Sequence, residues 1–567
     1  MALRLGDILV EKKIITRQEL EKALAEQERT KGALGEILVS MGLVTERKML
    51  EVLAEQQGIP FVNLKETKIS GEAIKNVPSK FAWHYKVMPV GLDGNTLTIA
   101  ISNPFDMWPI DDLETNLGYR VEKVIATSRD ISEAIRKYYG VGSETIERIL
   151  AEKPREDRPA SAEAAEKTED LEKMAGVPSV IKLVNQILQD AVKARATDIH
   201  LEHFRHELRL RYRVDGILYD TQMGGDTKYL YPAIISRIKV MSDMDIVERR
   251  LPQDGRARIK IGAKEYELRI STIPTLYGEN VVIRILPTSM LFNIMDLGMP
   301  ERDSEIIERL IQVPHGIIFL TGPTGSGKTT TLYACLSRIN KPERKIITIE
   351  NPIEYELSGI SQSQINPKIN LTFATMLRSV LRHDPDVMMV GEVRDFETAE
   401  ITIQTALTGH LVFSTIHTND ATSGVTRLLD IGIEPYLITS SVIAFIAQRL
   451  VRMICEKCKE KYQISAADYP QFKELKAKSG SGKATVYRGK GCKACGNTGY
   501  MGRTGIYEIL LVDEEIRELT LQKAASNIIK KKAIEMGMRT LRQDGWEKVL
   551  KGITTPEEIM RVTQEEG

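Results

Sequence analysis

The stretch GPTGSGKTT at residues 322–330 fits the pattern G-x-x-x-x-G-K-[ST], which cradles nucleotide phosphates. It follows an apolar run at 316–320 and precedes helix-forming residues, so it stands between a predicted strand and a predicted helix. Loop N–H groups and the helix N-terminus attract phosphate, while Lys328 supplies a charge and Thr329 a hydroxyl ligand for Mg²⁺. The residues predicted to bind ATP are Gly322, Pro323, Thr324, Gly325, Ser326, Gly327, Lys328, Thr329 and Thr330. A glycine-rich turn with an incidental lysine is the alternative.

ATP hydrolysis also needs carboxylates to hold the metal and to order the attacking water. In residues 345–356, Glu350 ends a predicted strand and is placed with the cofactor-binding residues, and Glu354 follows one turn later. Further on, Glu392 follows the apolar strand 387–390 and a glycine. Solvated carboxylates at strand ends are the alternative, but the phosphate loop in the same domain favours acids that serve the metal and the water.

Two histidines flank another apolar strand in the segment TGHLVFSTIHTND at 408–420. A single histidine there would more often be a structural hydrogen-bonding group. His410 and His417 at the two ends of one core strand indicate γ-phosphate sensing or a contact between subunits.

Four of the five cysteines form two C-x-x-C pairs, which is the arrangement of a tetrahedral zinc site. The pairs are Cys455 with Cys458 and Cys492 with Cys495. A disulfide is disfavoured in a cytoplasmic protein. Since four thiolates leave no open coordination position, the predicted zinc is structural, whereas Cys335 fits a buried thiol.

The N-terminus repeats itself: residues 4–27 align without gaps to residues 33–56. Each unit predicts a short helix, a turn and a longer helix that begins after a threonine. Both units carry a Leu-Gly pair at the same place, Leu5-Gly6 and Leu34-Gly35. Two helical hairpins packed on each other explain the apolar positions, but that packing does not explain the repeated Leu-Gly.

The 567 residues predict several domains, and a composition with 42% apolar residues is that of a globular protein. Lys plus Arg and Asp plus Glu are equal at 78 each, which argues against a broad nucleic-acid-binding surface. Without a run of ~20 apolar residues or a signal peptide, a cytoplasmic location is expected. The predicted segments are a helical repeat (1–60), a small α/β module (61–140), a linker (141–176), a second α/β domain (177–290) and a nucleotide-binding domain (291–567) with a cysteine insertion at about 450–500.

The phosphate loop, TIENPIEY, PDVMMVGEVRD and TGHLVFSTIHTND resemble, in that order, the Walker A, Asp box, Walker B and His box of the type II/type IV secretion ATPase superfamily. Upstream, ATDIHLE, RYRVDG and LRISTIPTLYGENVVIRIL are similar to the middle domain of that family. The resemblance runs from about residue 60 to the end. It implies a multidomain α/β protein with a PAS-like α/β middle domain and a RecA-like C-terminal P-loop domain.

The resemblance also implies roles for individual residues. Glu354 would activate water, and Glu392 would lie in the Mg²⁺ shell, although the residues alone leave open which acid serves the water. Arg269 and Arg284 match the middle-domain arginines that reach the γ-phosphate in this family. Asn351 replaces the usual aspartate of the Asp box, so the charge network of that box differs here.

The N-terminal repeat is similar to the cyclic-di-GMP-binding module of MshE-type pilus ATPases. The resemblance implies ligand contacts from Arg4, Leu5, Gly6, Leu34 and Gly35. Ala33 stands where the first unit has Arg4, which weakens one half of such a site. Helix packing alone is the alternative.

The resemblance therefore implies a homo-hexameric motor ATPase that assembles type IV pili. It would act at the inner-membrane face, through a platform protein and cytoplasmic assembly proteins, with peripheral membrane association only through those partners. A type II secretion ATPase shares every motif and is the near alternative. A nucleic-acid translocase is disfavoured by the neutral charge, and a non-hydrolysing nucleotide switch by the intact acids.

Overall fold

The protein is described by a computed structural model that covers residues 5–30, 32–106, 108–139, 177–205, 207–221, 223, 230–288, 293–465, 469 and 483–563. It divides into two compact units, residues 1–286 and 287–567. The predicted linker, 141–176, lies outside the described residues. Among the residues that are described, no helix combines the length and apolar character needed to cross a membrane.

The N-terminal repeat forms four helices, as the sequence predicts. They are α1 (Leu5–Glu11), α2 (Arg17–Thr30), α3 (Leu34–Ser40) and α4 (Glu46–Gln57). Thr16 and Glu19 form a capping box, because the Thr16 N–H donates to Glu19 Oε2 (2.7 Å) and the Glu19 N–H donates to Thr16 Oγ1 (3.3 Å). Leu9, Leu38 and Met49 belong to the core that joins the two hairpins.

The small α/β module follows. Its elements are α5 (Gly71–Asn76), α6 (Ser79–Tyr85), β1 (Met88–Asp93), β2 (Thr96–Ile101), α7 (Trp108–Leu117), β3 (Arg120–Ile125) and α8 (Ser128–Tyr139). Strands β1 and β2 are antiparallel around the predicted Asp93-Gly94 turn, and β3 lies parallel to β2. The parallel pair needs a crossover, which α7 provides.

The middle domain is a six-stranded sheet with two helices. Its elements are α9 (Pro178–Lys193), β4 (Ala196–His203), β5 (Leu208–Val214), β6 (Ile217–Thr221), α10 (Tyr231–Met241), β7 (Gln253–Ile261), β8 (Lys264–Thr275) and β9 (Gly278–Pro287). The strand order is β6-β5-β4-β9-β8-β7. The predicted hairpin at Asp215-Gly216 joins β5 to β6. Apolar side chains from α9, α10 and β4 form one core.

The second unit is built on a seven-stranded sheet. The described strands of this unit are β10 (Gly316–Thr321), β11 (Ile346–Glu350), β12 (Ser361–Gln364), β13 (Val387–Val390), β14 (Leu411–Ile416), β15 (Val442–Ile454), β16 (Lys459–Ser465), β17 (Lys483–Gly489) and β18 (Tyr500–Leu511). Strands β16 and β17 form a separate hairpin, and the other seven form the main sheet. The main sheet has the order β12-β11-β13-β14-β10-β15-β18. All its pairs are parallel except β15 with β18. Strands β10, β11, β13 and β14 are mostly apolar and fully buried because helices cover both faces of a parallel sheet, whereas the edge strand β12 is polar and partly exposed.

Ten helices of the second unit are described. They are α11 (Glu301–Leu310), α12 (Lys328–Ile339), α13 (Phe373–Val380), α14 (Phe396–Leu407), α15 (Thr422–Ile431), α16 (Pro435–Ser441), α17 (Glu514–Leu521), α18 (Ser526–Glu535), α19 (Leu541–Leu550) and α20 (Pro556–Val562). Helix α12 begins at the end of the phosphate loop. Ligands of open parallel sheets bind at the carboxyl ends of the strands, so a nucleotide is expected at the carboxyl ends of these strands, where the phosphate loop lies.

Candidate nucleotide site and metal centre

The phosphate loop joins β10 to α12 and depends on glycine. Gly322, Gly325 and Gly327 have φ of 146°, 79° and 90°, a region that favours glycine. A Cβ on Gly327 would lie 2.8 Å from Gln448 Nε2, so the neighbouring strand also leaves no room for a side chain. Pro323, Thr324 and Gly325 form the exposed tip of the loop. The predicted loop is therefore present between a strand and a helix, with the backbone geometry that anion binding requires.

Lys328 folds back onto this loop. Its Nζ donates to the carbonyl oxygens of Gly322 (2.7 Å) and Pro323 (3.1 Å). Burial and, to a smaller extent, the positive charge of Arg449 lower the pKa of Lys328 to about 8, and the carboxylate of Glu392 opposes both. A phosphate bound in the loop would provide a negatively charged partner for this ammonium group and would favour its charged form.

Ser326 gives an independent sign that the loop is incomplete without a ligand. Its buried Oγ has no hydrogen-bond partner among the described residues. The hydroxyl lies beside the first glycine, since a Cβ on Gly322 would be 2.6 Å from it. Because buried hydroxyls are normally paired, a phosphate oxygen fits this position. Thr329 and Thr330 follow in the first turn of α12 and are partly buried.

Glu392 and His417 meet at the same edge of the sheet, after β13 and β14. His417 Nε2 lies 3.5 Å from Glu392 Oε2. The same carboxylate oxygen accepts from Arg394 Nε at 2.6 Å. Since Glu392 also affects the pKa of Lys328, the structure brings the predicted metal-binding acid within electrostatic reach of the phosphate loop.

His410 lies at the other end of β14. Gly316 pairs with Leu411 and Thr321 with Ile416, so His410 is level with the start of β10 and not with the phosphate loop. The six residues of β14 span about 20 Å. His410 Nδ1 lies 2.9 Å from the carbonyl oxygen of Thr405. The phosphate-sensing prediction therefore rests on His417 within one chain, and His410 keeps only the alternative of a subunit contact.

Glu350 is a buried acceptor at the end of β11. Its carboxylate accepts hydrogen bonds from the hydroxyl of Tyr333, from Thr348 Oγ1 (2.6 Å) and from Gln362 Nε2 (3.0 Å). Through these contacts, Glu350 stabilises the segment between β11 and β12, which carries Glu354. Glu354 is partly buried four residues later, and its backbone N–H donates to the Tyr333 hydroxyl oxygen (3.3 Å).

The two predicted arginine fingers lie on the sheet of the middle domain. Arg284 on β9 donates from Nε to Asp198 Oδ1 at 3.0 Å, and half of its side chain is exposed. Arg269 on β8 has its Nε 3.5 Å from Glu267 Oε1. Both belong to the first unit and the phosphate loop belongs to the second, so their contact with a nucleotide stays a prediction.

The four predicted metal ligands form one cluster. Their Sγ atoms all lie within 4.8 Å of one another, with 3.8 Å between Cys455 and Cys492, 3.9 Å between Cys458 and Cys495, and 3.8 Å between Cys492 and Cys495. Four sulfurs placed ~2.3 Å from a central zinc are ~3.8 Å apart in a tetrahedron. The cluster therefore has the size of a Cys₄ zinc site.

The surroundings of Cys495 favour the thiolate that a metal requires. Burial raises the pKa of Cys495, but the backbone N–H groups of Cys492 (3.2 Å) and Gly499 (3.3 Å) donate to its Sγ and, with the thiols of Cys492 and Cys458, bring the pKa down to about 6. Such donors also fix the direction of a ligating sulfur.

Packing explains the glycine of the first repeat unit but not that of the second. A Cβ on Gly6 would lie 2.6 Å from Leu20 Cδ1, and a Cβ on Gly35 would lie 3.5 Å from Met49 Sδ. Leu20 and Met49 are equivalent positions of the two units. Gly6 therefore has a structural reason even without a ligand, whereas the space at Gly35 admits a Cβ. Arg4 lies outside the described residues.

Sequence analysis did not identify two side chains of β15 beside the phosphate loop. Gln448 is 1% exposed, and its Oε1 accepts from Thr331 Oγ1 on α12 at 2.8 Å. Arg449 donates from Nη2 to the carbonyl oxygen of Asn419 at 2.7 Å, which ties the segment after β14 to β15. The available signal was a glutamine and an arginine inside the apolar run VIAFIAQRLVRMI.

Comparison with known proteins agrees with this site. The family model "Type II/IV secretion system protein" matches residues 173–561, and the MshEN domain model matches residues 57–145, which begins where the helical repeat ends. The type IV pilus assembly ATPase PilB of Myxococcus xanthus is 42% identical over 568 residues, covering 99% of each chain. The type II secretion system ATPase E of Vibrio cholerae is 41% identical over 498 residues, covering 87% of this chain and 98% of the relative.

Among solved structures, "Structure of MshE with cdg" is 34% identical, covers 24% of this chain and 99% of that chain, and has a TM-score of 0.23. The family model covers well over half of the chain, and both full-length relatives are ATPases. The intact phosphate loop and the acids beside it agree with that activity. The chain therefore belongs to the type II/IV secretion system family and is one of its P-loop motor ATPases.

Proposed function

We propose that this ATPase is the motor of type IV pilus assembly, working as a homo-hexamer at the cytoplasmic face of the inner membrane. It would pass the energy of ATP to a membrane platform protein and its cytoplasmic assembly partners, without binding nucleic acid as a polymer. The observation that supports pili most directly is the match to a pilus assembly ATPase over 99% of both chains, including the N-terminal repeat.

Type II secretion is the second candidate, because a secretion ATPase matches 87% of the chain at nearly the same identity. Complementation separates the two. The gene should restore surface pili, counted by electron microscopy, in a strain that lacks its own pilus assembly ATPase. It should not restore enzyme export in a strain that lacks its type II secretion ATPase. The reverse result would reassign the protein to secretion.

For hydrolysis, we propose that Lys328 and Thr329 bind the phosphates and Mg²⁺, that Glu392 completes the metal shell, and that Glu354 takes a proton from the attacking water. Glu354→Gln should bind ATP with unchanged affinity and lose turnover by roughly 10²- to 10⁴-fold, since an amide cannot accept that proton. Phosphate release and analogue binding measure the two effects. Normal turnover in this variant would mean that Glu392, and not Glu354, takes the proton from the attacking water.

The predicted arginine fingers extend this proposal. Arg269 and Arg284 would reach a nucleotide when the middle domain closes on the phosphate loop, so that each turnover requires a domain movement. Arg284→Gln should then lower turnover while ATP binding persists. Arg284 Nε donates to Asp198 Oδ1 at 3.0 Å. This bond would hold the guanidinium group of Arg284 in place until the group meets a phosphate.

The cysteine cluster is proposed to hold one structural Zn²⁺. Metal analysis should find about one zinc per chain, and Cys455→Ser should lower thermal stability more than it lowers ATP affinity. A metal-free protein whose four thiols react freely with an alkylating agent would refute this assignment.

The N-terminal repeat is proposed to bind cyclic-di-GMP as a regulator. The support is the duplication of the unit, which suits a two-fold symmetric ligand, and the presence of Arg4, whose side-chain type can bind phosphate or stack on guanine. Arg4→Ala in the full chain should weaken binding by about 1–3 kcal/mol, and Ala33→Arg, which restores the second arginine, should strengthen it. Calorimetry without a saturable signal for any of the three proteins would leave only the packing explanation.

A further inference from the structure

Tyr333 connects the helix of the phosphate loop to the segment that carries Glu354. It lies five residues after Lys328 on α12, and its side chain is fully buried. Its hydroxyl donates to Glu350 Oε2 and accepts from the backbone N–H of Glu354 at 3.3 Å. One hydroxyl therefore bridges the end of β11 and the residue proposed to activate water.

The rest of this segment is held from the opposite side by glutamines of β12. Gln362 Nε2 donates to the carbonyl oxygen of Tyr355 (3.0 Å), and Gln362 Oε1 accepts from the Leu357 N–H (2.7 Å). Gln364 Oε1 accepts from the Ile353 N–H (3.3 Å). The segment is thus fixed to the sheet by β12 and to the phosphate-loop helix by Tyr333.

The tyrosine is suited to a permanent bond of this kind. Burial and the neighbouring Glu350 carboxylate raise the pKa of Tyr333, so its hydroxyl stays protonated and keeps its donor. The ring packs edge-on against Tyr355, with centroids 6.3 Å apart. With χ1 and χ2 fixed by packing, the hydroxyl position follows the position of α12.

We infer that Tyr333 is a positioning residue for hydrolysis: it sets the place of Glu354 relative to the phosphate loop by bonding its backbone. The inference rests on the proposed role of Glu354. Lys328 and Tyr333 share one helix, so a phosphate held by the first residue and a carboxylate held through the second keep a fixed separation. A carboxylate that drifts by even ~1 Å loses much of its ability to take a proton in the transition state.

The test is Tyr333→Phe in the full chain, which removes the hydroxyl and keeps the ring. We expect kcat to fall by on the order of 10- to 100-fold, with the dissociation constant of a non-hydrolysable ATP analogue unchanged. The matched control is Tyr212→Phe on β5 of the middle domain, where another buried tyrosine hydroxyl donates to a backbone carbonyl, that of Ile187, at 3.1 Å. The control should lose thermal stability without the loss in kcat.

A double variant separates the inference from the role on which it rests. In a Glu354→Gln background, Tyr333→Phe should lower the residual turnover no further, because there is no carboxylate left to position. If Glu354→Gln is inactive but Tyr333→Phe turns over at the wild-type rate, or loses no more turnover than Tyr212→Phe, the positioning role is wrong. If Glu354→Gln itself turns over normally, the proposed role of Glu354 fails instead.

Discussion

The phosphate loop and the Leu-Gly repeat both present glycine at fixed spacing, but the structure uses glycine in opposite ways. In the loop, Gly325 and Gly327 have positive φ and open the backbone toward a ligand. In the repeat, Gly6 lies inside helix α1 and gives room to the side chain of Leu20. In this chain, a recurring glycine lies at a candidate ligand site where the backbone leaves the helical region, and within a helix it can instead serve close packing, as at Gly6.

The largest effect that would test this comparison is in the loop. Gly327→Ala places a side chain at φ 90° and a Cβ 2.8 Å from Gln448 Nε2. Left-handed backbone costs ~1–2 kcal/mol for a residue with a Cβ, and a shifted loop misplaces the phosphates. ATP turnover should fall on the order of 100-fold while circular dichroism stays native. Wild-type turnover would show that the loop tolerates a side chain and that its glycines are incidental.

The pH dependence of ligand binding should also separate the two regions. The pKa of Lys328 is lowered to about 8, and a bound anionic phosphate would raise it again, so ATP binding takes up a proton above that pH. Affinity should be constant below pH 8 and weaken by up to ~10-fold per unit above it. Arg449→Gln, which removes the nearby positive charge, should move this onset to higher pH.

Binding of cyclic-di-GMP at the repeat should lack this dependence, because Arg4 keeps its charge throughout the range. Calorimetry of ATP binding and of cyclic-di-GMP binding from pH 7 to pH 10 measures both pH dependences. An ATP affinity that is flat across pH 8 to 10 would mean that Lys328 is already fully charged in the free protein.

The smallest effects are expected within the repeat. Gly6→Ala forces a Cβ to 2.6 Å from Leu20 and should destabilise the module by about 1–3 kcal/mol through overpacking. Gly35→Ala meets Met49 at an ordinary 3.5 Å, and alanine is the better helix former by about 1 kcal/mol, so this variant should be neutral or stabilising. Thermal unfolding of the two variants measures the difference, and equal effects would contradict the packing explanation.

Local patterns made much of the site predictable. Lys328, Glu392 and the four cysteines could be proposed from the sequence because each lies in a short segment whose spacing is characteristic, and the structure brings the four sulfurs together. The four N-terminal helices and the hairpin turns at Gly94 and Gly216 were likewise predicted correctly, since periodicity and turn residues determine them.

What escaped prediction depends on contacts between distant segments. Gln448 reaches the phosphate loop from more than a hundred residues away in sequence, and Tyr333 looks like an ordinary core residue of α12. His410 and His417 were assigned one shared role because they flank one strand. The two ends of that strand, however, lie at opposite ends of the sheet, and only His417 is at the end where the phosphate loop lies. The packing partner of Gly6 could not be inferred either, because the angle between α1 and α2 is a tertiary property.

Strand β15 links the two chemical centres of the second unit in a single stretch of chain. It touches the phosphate loop through Gln448 and ends one residue before Cys455. The seven residue steps from Gln448 to Cys455 span about 23 Å in extended form, and β18 is hydrogen-bonded alongside for almost the whole distance. An extended strand that is paired in this way keeps its length, so β15 fixes the distance between the phosphate loop and the cysteine cluster.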